Sequence, residues 1–298
     1  MKYSVGIDLG GTAIKVVAAG PDGNELSRHT QLTQDGVESI DDWVAHLRRI
    51  LRGIEIEHGG APQRLGIAAP GLAAQDGNSI AFLPGKLQGL EGFHWGKALA
   101  CEHPVTVMND AHAALLGEVW TGRAQGKTDV ILLTLGTGVG GAILSGGKLL
   151  RGHVGRAGHL GHMCMDPKGE PSIVGMPGAI EVLIGNYTVK DRSGGRFSST
   201  YELVAAYEQG DSEAKRVWLT SIEALGCAVA SYINMFDPEL IVLAGGITRA
   251  GKSLLDPLSA ELDRVEWRPG GFQVPVVISE LGAWAGALGM ASLAYETH

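Results

Sequence analysis

The feature that most constrains this chain is a glycine-rich turn that occurs twice, each time between two apolar segments. The first copy lies in Val5–Lys15 and the second in Ile131–Gly141. When the copies are aligned, Asp8 of the first stands opposite Thr134 of the second. The residues after the glycines are apolar and β-branched, which favours a strand rather than a helix after each turn. Two such strand–turn–strand units predict a duplicated α/β chain.

Glycine at these turns has a specific chemical use. Backbone amides can converge on a phosphate only where the turn can adopt positive φ and no Cβ blocks the approach. Neither turn fits the Walker pattern or the dinucleotide fingerprint, which continues into a helix. One copy alone favours a tight β-hairpin, but two copies, one of them with an acid, favour phosphate binding. The predicted nucleotide- and phosphate-binding residues of the two turns are Asp8, Gly10, Gly11, Thr12, Lys15, Thr134, Gly136, Thr137 and Gly138.

The composition excludes several classes of function. The net charge is −8 and the basic residues do not cluster, so no nucleic-acid surface is expected. No apolar run approaches ~18 uninterrupted residues, so no membrane-spanning segment is expected. Three scattered cysteines fit a reducing compartment, and the first residues already read as a strand rather than a signal peptide. We therefore expect a cytoplasmic protein without nucleic-acid or membrane partners.

Hydrophobic periodicity predicts the same order of elements in both halves of the chain. Each half is expected to hold a mixed sheet with helices, and the two halves are expected to flank a central cleft. The boundary is predicted at 121/122, which gives domains of residues 1–121 and 122–298. The terminal helix, in 283–298, either stays with the second domain or packs on the first, and the sequence leaves this open. The predicted strands are 3–9, 13–19, 25–31, 64–69, 105–108, 129–135, 139–145, 148–151, 239–244 and 274–279, and the other predicted helices are 39–57, 111–120, 178–185, 200–208, 212–234 and one after Gly246.

Asp110 is the candidate catalytic base. Asn109-Asp110 follows a predicted strand and opens a predicted helix, and ligands of open α/β sheets bind at the carboxyl ends of strands. An aspartate there can accept the proton of a substrate hydroxyl during phosphoryl transfer. The alternative is that Asp110 only caps the helix, as aspartate often does.

Two further places carry ionisable side chains in unusual settings. Asp8 lies in an apolar strand, where an acid is costly unless it is paired or metal-bound, and Mg²⁺ held through water is one reading. The alternative is a turn aspartate bonded to neighbouring N–H groups. His159 and His162 lie among glycines in Gly155–His162 and can bind sugar hydroxyls or a metal, or belong to an ordinary surface loop.

Taken together and in this order, five segments resemble the ROK family of sugar kinases and repressors, which belong to the actin-like ATPases with two ribonuclease-H-like domains. The resemblance covers essentially the whole chain. The segments are Asp8–Thr12, Asn109–Ala111 followed by Gly117-Glu118, Leu135–Gly141, Gly161-His162 and Ala244–Ile247.

The resemblance implies ATP- and Mg²⁺-dependent phosphorylation of a hexose hydroxyl, with glucose as the first guess. It implies that Asp110 is the general base, that Asp8 lies near Mg²⁺, and that Gly245 and Gly246 let the backbone approach the adenosine. The substrate-binding residues it implies are Gly71, Asn109, Asp110, His159, His162 and Glu181. Fructose, mannose, N-acetylglucosamine, N-acetylmannosamine and another phosphoryl donor stay open, and homodimers are common among proteins like this.

The chain departs from the family pattern in three places. His159 stands where the family has a glutamate, so an imidazole replaces a carboxylate that accepts hydrogen bonds. Gly85-Lys86 stands where a sugar-binding asparagine follows a proline. Ser172, Val174 and Ala179 stand where many members have zinc-binding cysteines, so no structural zinc is expected and packing must hold the loop.

These departures keep two readings besides a glucose kinase. A kinase for another hexose or an N-acetylhexosamine stays open, because the changes touch the sugar-binding residues. A sugar sensor that binds ATP without efficient turnover is kept open by His159. The repressors of the family carry an N-terminal helix-turn-helix that this sequence lacks, so the repressor reading is disfavoured.

Overall fold

The computed structural model describes residues 2–295, which form two compact units. The first unit contains the residues up to Gly126, the segment Arg151–Ala157 and the residues from Glu280 onward. The second unit contains Lys127–Leu150 and Gly158–Ser279. Three separate segments of the chain therefore form the first unit, whereas the sequence analysis predicted a single domain boundary, at 121/122.

Two five-stranded mixed sheets of matching topology form the centres of the units. The strands of the first unit are β1 (Ser4–Leu9), β2 (Ala13–Ala19), β3 (Glu25–Leu32), β4 (Leu65–Ala69), β5 (Leu72–Ala73), β6 (Ile80–Phe82) and β7 (Thr106–Asn109), and those of the second are β8 (Val130–Leu135), β9 (Val139–Ser145), β10 (Lys148–Leu149), β11 (Leu240–Ala244) and β12 (Val276–Ile278). The strand orders are β3-β2-β1-β4-β7 and β10-β9-β8-β11-β12. In both sheets the first strand pairs antiparallel with the next and parallel with the following buried strand. The predicted α/β fold with two mixed sheets is confirmed.

The helices follow the predicted order. They are α1 (Ile40–His58), α2 (Trp95–Ala98), α3 (Asp110–Thr121), α4 (Ile180–Ile184), α5 (Val189–Arg192), α6 (Thr200–Glu208), α7 (Ser212–Phe236), α8 (Lys252–Val265) and α9 (Ala285–Ser292). Local chemistry sets their ends: Ser39 and Asp42 form a capping box at the start of α1, and Gly59 ends that helix in the left-handed conformation.

Helix α9 lies in the first unit, where it packs on α3 and β1. All its residues are buried, so it is a core helix rather than an amphipathic surface helix. Glycine makes the close packing possible, because a Cβ at Gly289 would stand 1.7 Å from the carbonyl oxygen of Ala113. The placement that the sequence left open is thus in the first unit.

Helix α7 is the central helix of the second unit. By length and composition alone it could cross a membrane, but half of its most apolar stretch is buried inside the structure. Trp218, Leu225 and Val229 belong to the apolar core that this helix forms with the sheet. Asp211 caps it by accepting a hydrogen bond from the amide of Ala214, at 2.8 Å.

Candidate active site

Asp8 and Lys15 lie side by side at the ends of β1 and β2 that adjoin the first glycine turn. They are register partners, and Nζ of Lys15 is 3.7 Å from Oδ2 of Asp8. The pKa of Asp8 is raised to about 6, mainly by burial and also by the nearby Asp110, while Lys15 opposes the rise. Asp8 and Asp110 are thus close enough to repel each other electrostatically.

The first glycine turn is anchored from one side and exposed on the other. The amide of Gly10 donates to the carbonyl of Ala13 at 3.1 Å, and the hydroxyl of the buried Thr33 donates to the carbonyl of Gly10 at 2.6 Å. Gly11 and Thr12 are exposed. The turn therefore has a fixed base and an accessible tip, as a phosphate-binding loop requires.

The second glycine turn joins β8 to β9 and is held by the segment that follows α4. Asn186 and Tyr187 donate their backbone amides to the carbonyls of Gly136 and Thr137, both at 3.0 Å. Thr134 is the half-buried penultimate residue of β8, in register with Ala244 of β11. The equivalence of Asp8 and Thr134 therefore holds in the sheets, since each stands at the same strand end.

The turn Gly245-Gly246 follows β11 and has a geometric need for glycine at its first position. Gly245 has φ of +93°, and a Cβ there would lie 2.4 Å from the carbonyl oxygen of Leu135. The turn borders a cavity of about 670 Å³, called here the second-unit cavity. Residues lining it are Gly136, Thr137, Asn186, Thr200, Tyr201 and Arg249 among others. The hydroxyl oxygen of Thr200 is buried without a hydrogen-bond partner in the described residues.

Asn109, not Asp110, is the N-cap of α3. Its side-chain oxygen accepts hydrogen bonds from the amides of Ala111 and His112, at 3.0 and 3.2 Å. Its side-chain nitrogen donates to the carbonyl of Gly71 at 2.9 Å. The interpretation of Asp110 as the cap is therefore wrong: a cap must precede the first helical residue, and Asp110 is that first residue.

Asp110 is left with an exposed carboxylate at the start of α3. One of its oxygens lies 2.8 Å from the amide of Ala111, and the positive end of the helix dipole favours its negative charge. Gly71 lies beside this helix start, in a turn with φ of +98° after β4. The structure thus brings Asp8, Asn109, Asp110 and Gly71 together in the first unit.

His159, His162 and Glu181 come together in the second unit. The rings of the two histidines are nearly parallel, with centroids 6.2 Å apart. Nδ1 of His162 is 3.3 Å from Oε1 of Glu181, at angles that make no hydrogen bond, so both buried atoms lack a hydrogen-bond partner within the described residues. A Cβ at Gly138 would stand 2.7 Å from the other carboxylate oxygen of Glu181. The second glycine turn and these polar groups therefore form one cluster.

Backbone hydrogen bonds close the loop that follows His162. The amides of Met165 and Gly178 donate to the carbonyls of Gly178 and Glu170, both at 2.9 Å, and Ser172 donates to Met176 at 2.9 Å. The absence of a structural zinc stays a prediction, and these contacts show how the chain itself fastens the loop.

Sequence reasoning missed several residues that surround the candidate site. His112 and the segment Arg151–Gly155 line a cavity of the first unit, and Tyr201 and Arg249 line the second-unit cavity. None of them stands in a pattern that carries chemistry by itself. His153 lies close to the predicted Gly155–His162 site, which was the nearest available signal.

Comparison with known proteins places the chain in a family. The model of the ROK family matches residues 4–297. A glucokinase from Thermotoga maritima is 32% identical over 98% of this chain and 97% of its own length. An N-acetylmannosamine kinase from Escherichia fergusonii is 29% identical over 98% of both chains. The structure of a ROK family glucokinase from Streptomyces griseus, in complex with glucose and AMPPNP, is 28% identical, with a TM-score of 0.80 over 98% of both chains. The chain therefore belongs to the ROK family.

Proposed function

We propose that this chain is an ATP- and Mg²⁺-dependent sugar kinase that transfers the γ-phosphoryl group to a hexose hydroxyl. Glucose is the first candidate acceptor. The observation that carries the proposal is the exposed carboxylate of Asp110 at the first residue of α3, freed from capping by Asn109. Its support from relatives is the similarity to glucokinases and to a structure that holds glucose and AMPPNP.

In the proposed reaction, Asp110 accepts the proton of the sugar hydroxyl as its oxygen attacks the γ-phosphorus. The bond from that phosphorus to the bridging oxygen breaks, and ADP leaves. The protein's contribution is mainly positioning and electrostatic stabilisation, because the transferred group has little covalent chemistry for side chains to perform.

The two glycine turns are proposed to hold the phosphates, and the second-unit cavity to hold the nucleoside. Thr137 is exposed at the tip of the second turn and lines that cavity. A volume of about 670 Å³ lies in the range typical of small-molecule sites. A cavity of this size beside the turn favours ATP over a donor made of phosphate alone.

Asp8 fits a role beside Mg²⁺. Its carboxylate is half-buried and electrostatically coupled to Asp110, and a cation nearby would relieve the cost of holding both charges. Mg²⁺ takes one or two carboxylates, with substrate phosphates and water as further ligands. The ion supplies neutralisation of the charge that develops on the phosphates. Lys15, whose Nζ is 3.7 Å from Oδ2 of Asp8, partly neutralises this carboxylate.

His159 keeps two alternatives to a glucose kinase open. An imidazole in place of a carboxylate changes which sugar hydroxyls can be recognised, so another hexose or an N-acetylhexosamine is the second candidate acceptor. The similarity to an N-acetylmannosamine kinase supports this alternative. A sugar sensor that binds ATP with weak turnover is the third candidate.

The test is a coupled ADP-release assay with Mg-ATP against a panel of hexoses and N-acetylhexosamines. Turnover that depends on both sugar and Mg²⁺ supports the kinase. The sugar with the highest kcat/KM shows which of the candidate acceptors the enzyme prefers. Binding of ATP without turnover on any sugar or sugar acid contradicts the kinase and favours the sensor. Sedimentation of the same sample measures the homodimer, which is proposed only by analogy.

A further inference from the structure

The first unit holds a second cavity, which lies beside the start of α3. This first-unit cavity has a volume of about 430 Å³ and is lined by the end of β7, the β5–β6 hairpin and the segment Arg151–Gly155. None of its lining residues is acidic, although the chain carries 32 aspartates and glutamates. Arg151, His112 and His153 are among the residues that line the cavity. The cavity wall therefore offers positive charge and hydrogen-bond donors in an acidic protein.

Most polar groups of the wall are bonded to the wall itself. Nε2 of the buried His112 lies 3.1 Å from the carbonyl oxygen of Ala157 and donates to it. The side-chain amide of Gln75 donates to the carbonyl of His153. Asn109 is occupied by its bonds to Gly71 and to the first amides of α3. These bonds fix the segment Arg151–Ala157 to the hairpin and to α3, so the cavity is already formed without a ligand.

Arg151 and His153 are different, because their side chains have no partner. No hydrogen bond or ion pair within residues 2–295 includes the guanidinium of Arg151 or the imidazole of His153. Six other arginines, among them Arg28, Arg123 and Arg268, form ion pairs with carboxylates within the described residues. An unpaired guanidinium is well suited to a carboxylate, which it can bind through two parallel hydrogen bonds.

The cavity lies within reach of the proposed base. Asn109 and His112 line the cavity, and they flank Asp110 along the chain. The Cα atoms of Asn109 and Asp110 are about 3.8 Å apart, because consecutive residues always are. This distance is shorter than a hexose. A sugar whose hydroxyl contacts Asp110 can therefore place a substituent in the cavity.

The sequence departures point in the same direction. His159 replaces the carboxylate that the family resemblance implies, and Gly85-Lys86, with an exposed lysine, stands where the family has an asparagine. Both changes remove a hydrogen-bond acceptor and add a donor or a cation. Such changes remove groups that could accept a hydrogen bond from a sugar hydroxyl. They suit a substrate group that only accepts hydrogen bonds, such as a carboxylate.

We propose that the acceptor of this kinase is a sugar acid of the aldonic or uronic type, whose carboxylate binds Arg151 and His153 in the first-unit cavity. The inference rests on the sugar kinase function proposed above. It names the substrate class that the cavity selects, and Arg151 and His153 are its specificity-determining residues.

The test compares sugar acids with their neutral parents in the ADP-release assay, for example glucuronate with glucose and gluconate with glucitol. At least one acid is expected to exceed its neutral parent by ~10-fold or more in kcat/KM. Replacing the guanidinium in Arg151→Gln is expected to lower kcat/KM for that acid by about 10–100-fold, mainly through KM. The same variant is expected to lower kcat/KM for the neutral parent by a clearly smaller factor, because that substrate has no carboxylate for Arg151 to bind. Arg151→Lys keeps the positive charge but cannot form two parallel hydrogen bonds to a carboxylate. Its kcat/KM for the acid should therefore lie between those of the wild type and Arg151→Gln.

The matched control is Arg52→Gln, on the exposed face of α1. Arg52 is likewise exposed and unpaired within residues 2–295 but lies outside the cavity, so its loss leaves both substrates unaffected. A neutral hexose or an N-acetylhexosamine used as well as every acid would overturn the inference and leave the kinase intact. Equal loss for acid and neutral parent in Arg151→Gln would also overturn it.

Calorimetric binding of the acids without nucleotide separates this inference from the function it rests on. Binding that weakens about 10–100-fold in Arg151→Gln and falls with added salt supports the cavity even if no sugar is phosphorylated, which would remove only the kinase function. Binding that is absent, or is the same in both proteins, overturns the inference. Unfolding curves of the variant confirm that the fold is retained, because Arg151 is exposed.

Discussion

Asn109 and Gly71 are joined by a hydrogen bond of 2.9 Å from the side-chain amide of Asn109 to the carbonyl oxygen of Gly71. The bond ties the turn after β4 to the start of α3. Because Asn109 also caps α3, one side chain fixes both the turn and the helix that carries Asp110. The carboxylate of Asp110 is therefore positioned by its neighbour and is itself free to meet a ligand.

The first prediction concerns Asp110. Asp110→Asn removes the proton acceptor but keeps the size of the side chain, so kcat is expected to fall by ~10²-fold or more, while nucleotide binding stays near normal. Steady-state kinetics and calorimetric nucleotide titration measure the two quantities. Asp191→Asn, at an exposed position on α5, is the control and should behave as the wild type. Comparable turnover in Asp110→Asn would remove Asp110 as the base.

The second prediction separates two glycines of one turn. A Cβ at Gly138 meets Glu181 at 2.7 Å, so Gly138→Ala should displace that carboxylate, lower the free energy of unfolding by about 1–3 kcal/mol and raise the KM for sugar. A Cβ at Gly136 would meet no atom of the described residues within 4 Å, so Gly136→Ala should change the free energy of unfolding by less than about 0.5 kcal/mol. Its methyl group should weaken nucleotide binding alone. Urea unfolding and nucleotide titration distinguish the pair, and equal effects of both variants would argue against the assigned contacts.

The third prediction is a pH dependence of stability caused by Asp8. Its pKa is raised from 3.8 to about 6 in the folded protein, mainly by burial. Between these values the folded state holds a proton that the unfolded state has released, so stability falls as pH rises from about 4 to 6 and then levels off. The difference is at most about 3 kcal/mol.

Asp8→Asn cannot titrate, so its stability relative to the wild type should increase over the same pH range. Chemical unfolding at several pH values, with EDTA and without nucleotide, measures this. A difference between the two proteins that does not change from pH 4 to 7 would show that burial does not control this carboxylate.

The fourth prediction tests the packing of α9. Gly289→Ala places a Cβ 1.7 Å from the carbonyl of Ala113, which only a backbone shift can relieve, so a loss of about 3 kcal/mol or more is expected. Gly53→Ala on α1 meets no atom within 4 Å and should stabilise the protein by about 0.5–1 kcal/mol. Thermal and urea unfolding give both values. Similar outcomes for both substitutions would mean that α9 is not packed as closely as described.

The fifth prediction concerns metal removal. Ser172, Val174 and Ala179 cannot replace three thiolates, and backbone bonds such as Met165 to Gly178 already hold the loop. A strong zinc chelator should therefore leave the melting temperature unchanged in the absence of nucleotide. A fall of several degrees, restored by zinc, would reveal a metal site that this residue pattern does not suggest.

Long periodic segments were predictable from the sequence. Strand β2, strand β9 and helix α6 have the bounds that periodicity predicts, and most other elements differ by one to three residues at their ends. The β5–β6 hairpin, α2 and α5 were missed, because each is too short to show a period. The placement of 151–157 in the first unit could not be predicted, since a glycine-rich segment carries no pattern that selects a sheet.

The candidate site was predictable where its residues have distinctive chemistry. Asp8, Asp110 and the glycine turns stand out because acids and glycines are costly in those settings unless they serve a purpose. The capping role was given to Asp110 instead of Asn109, because the one-residue difference between cap and first helical residue lies within the error of sequence-based boundaries. Arg151 was not identified, because an exposed arginine is ordinary until a cavity is seen beside it.

The placement of α9 has a consequence for how the protein is made. Strand β1 is synthesised before the second unit, yet the helix that covers it, Ala285–Ser292, follows that unit. During synthesis the apolar face of the first sheet must wait, uncovered, while the whole second unit is translated. The second unit does not depend on a later segment in this way, since all its residues lie between 127 and 279. The unit that begins first is therefore the one that finishes last, and a nascent chain stalled before Ala285 would expose a surface for chaperones to bind.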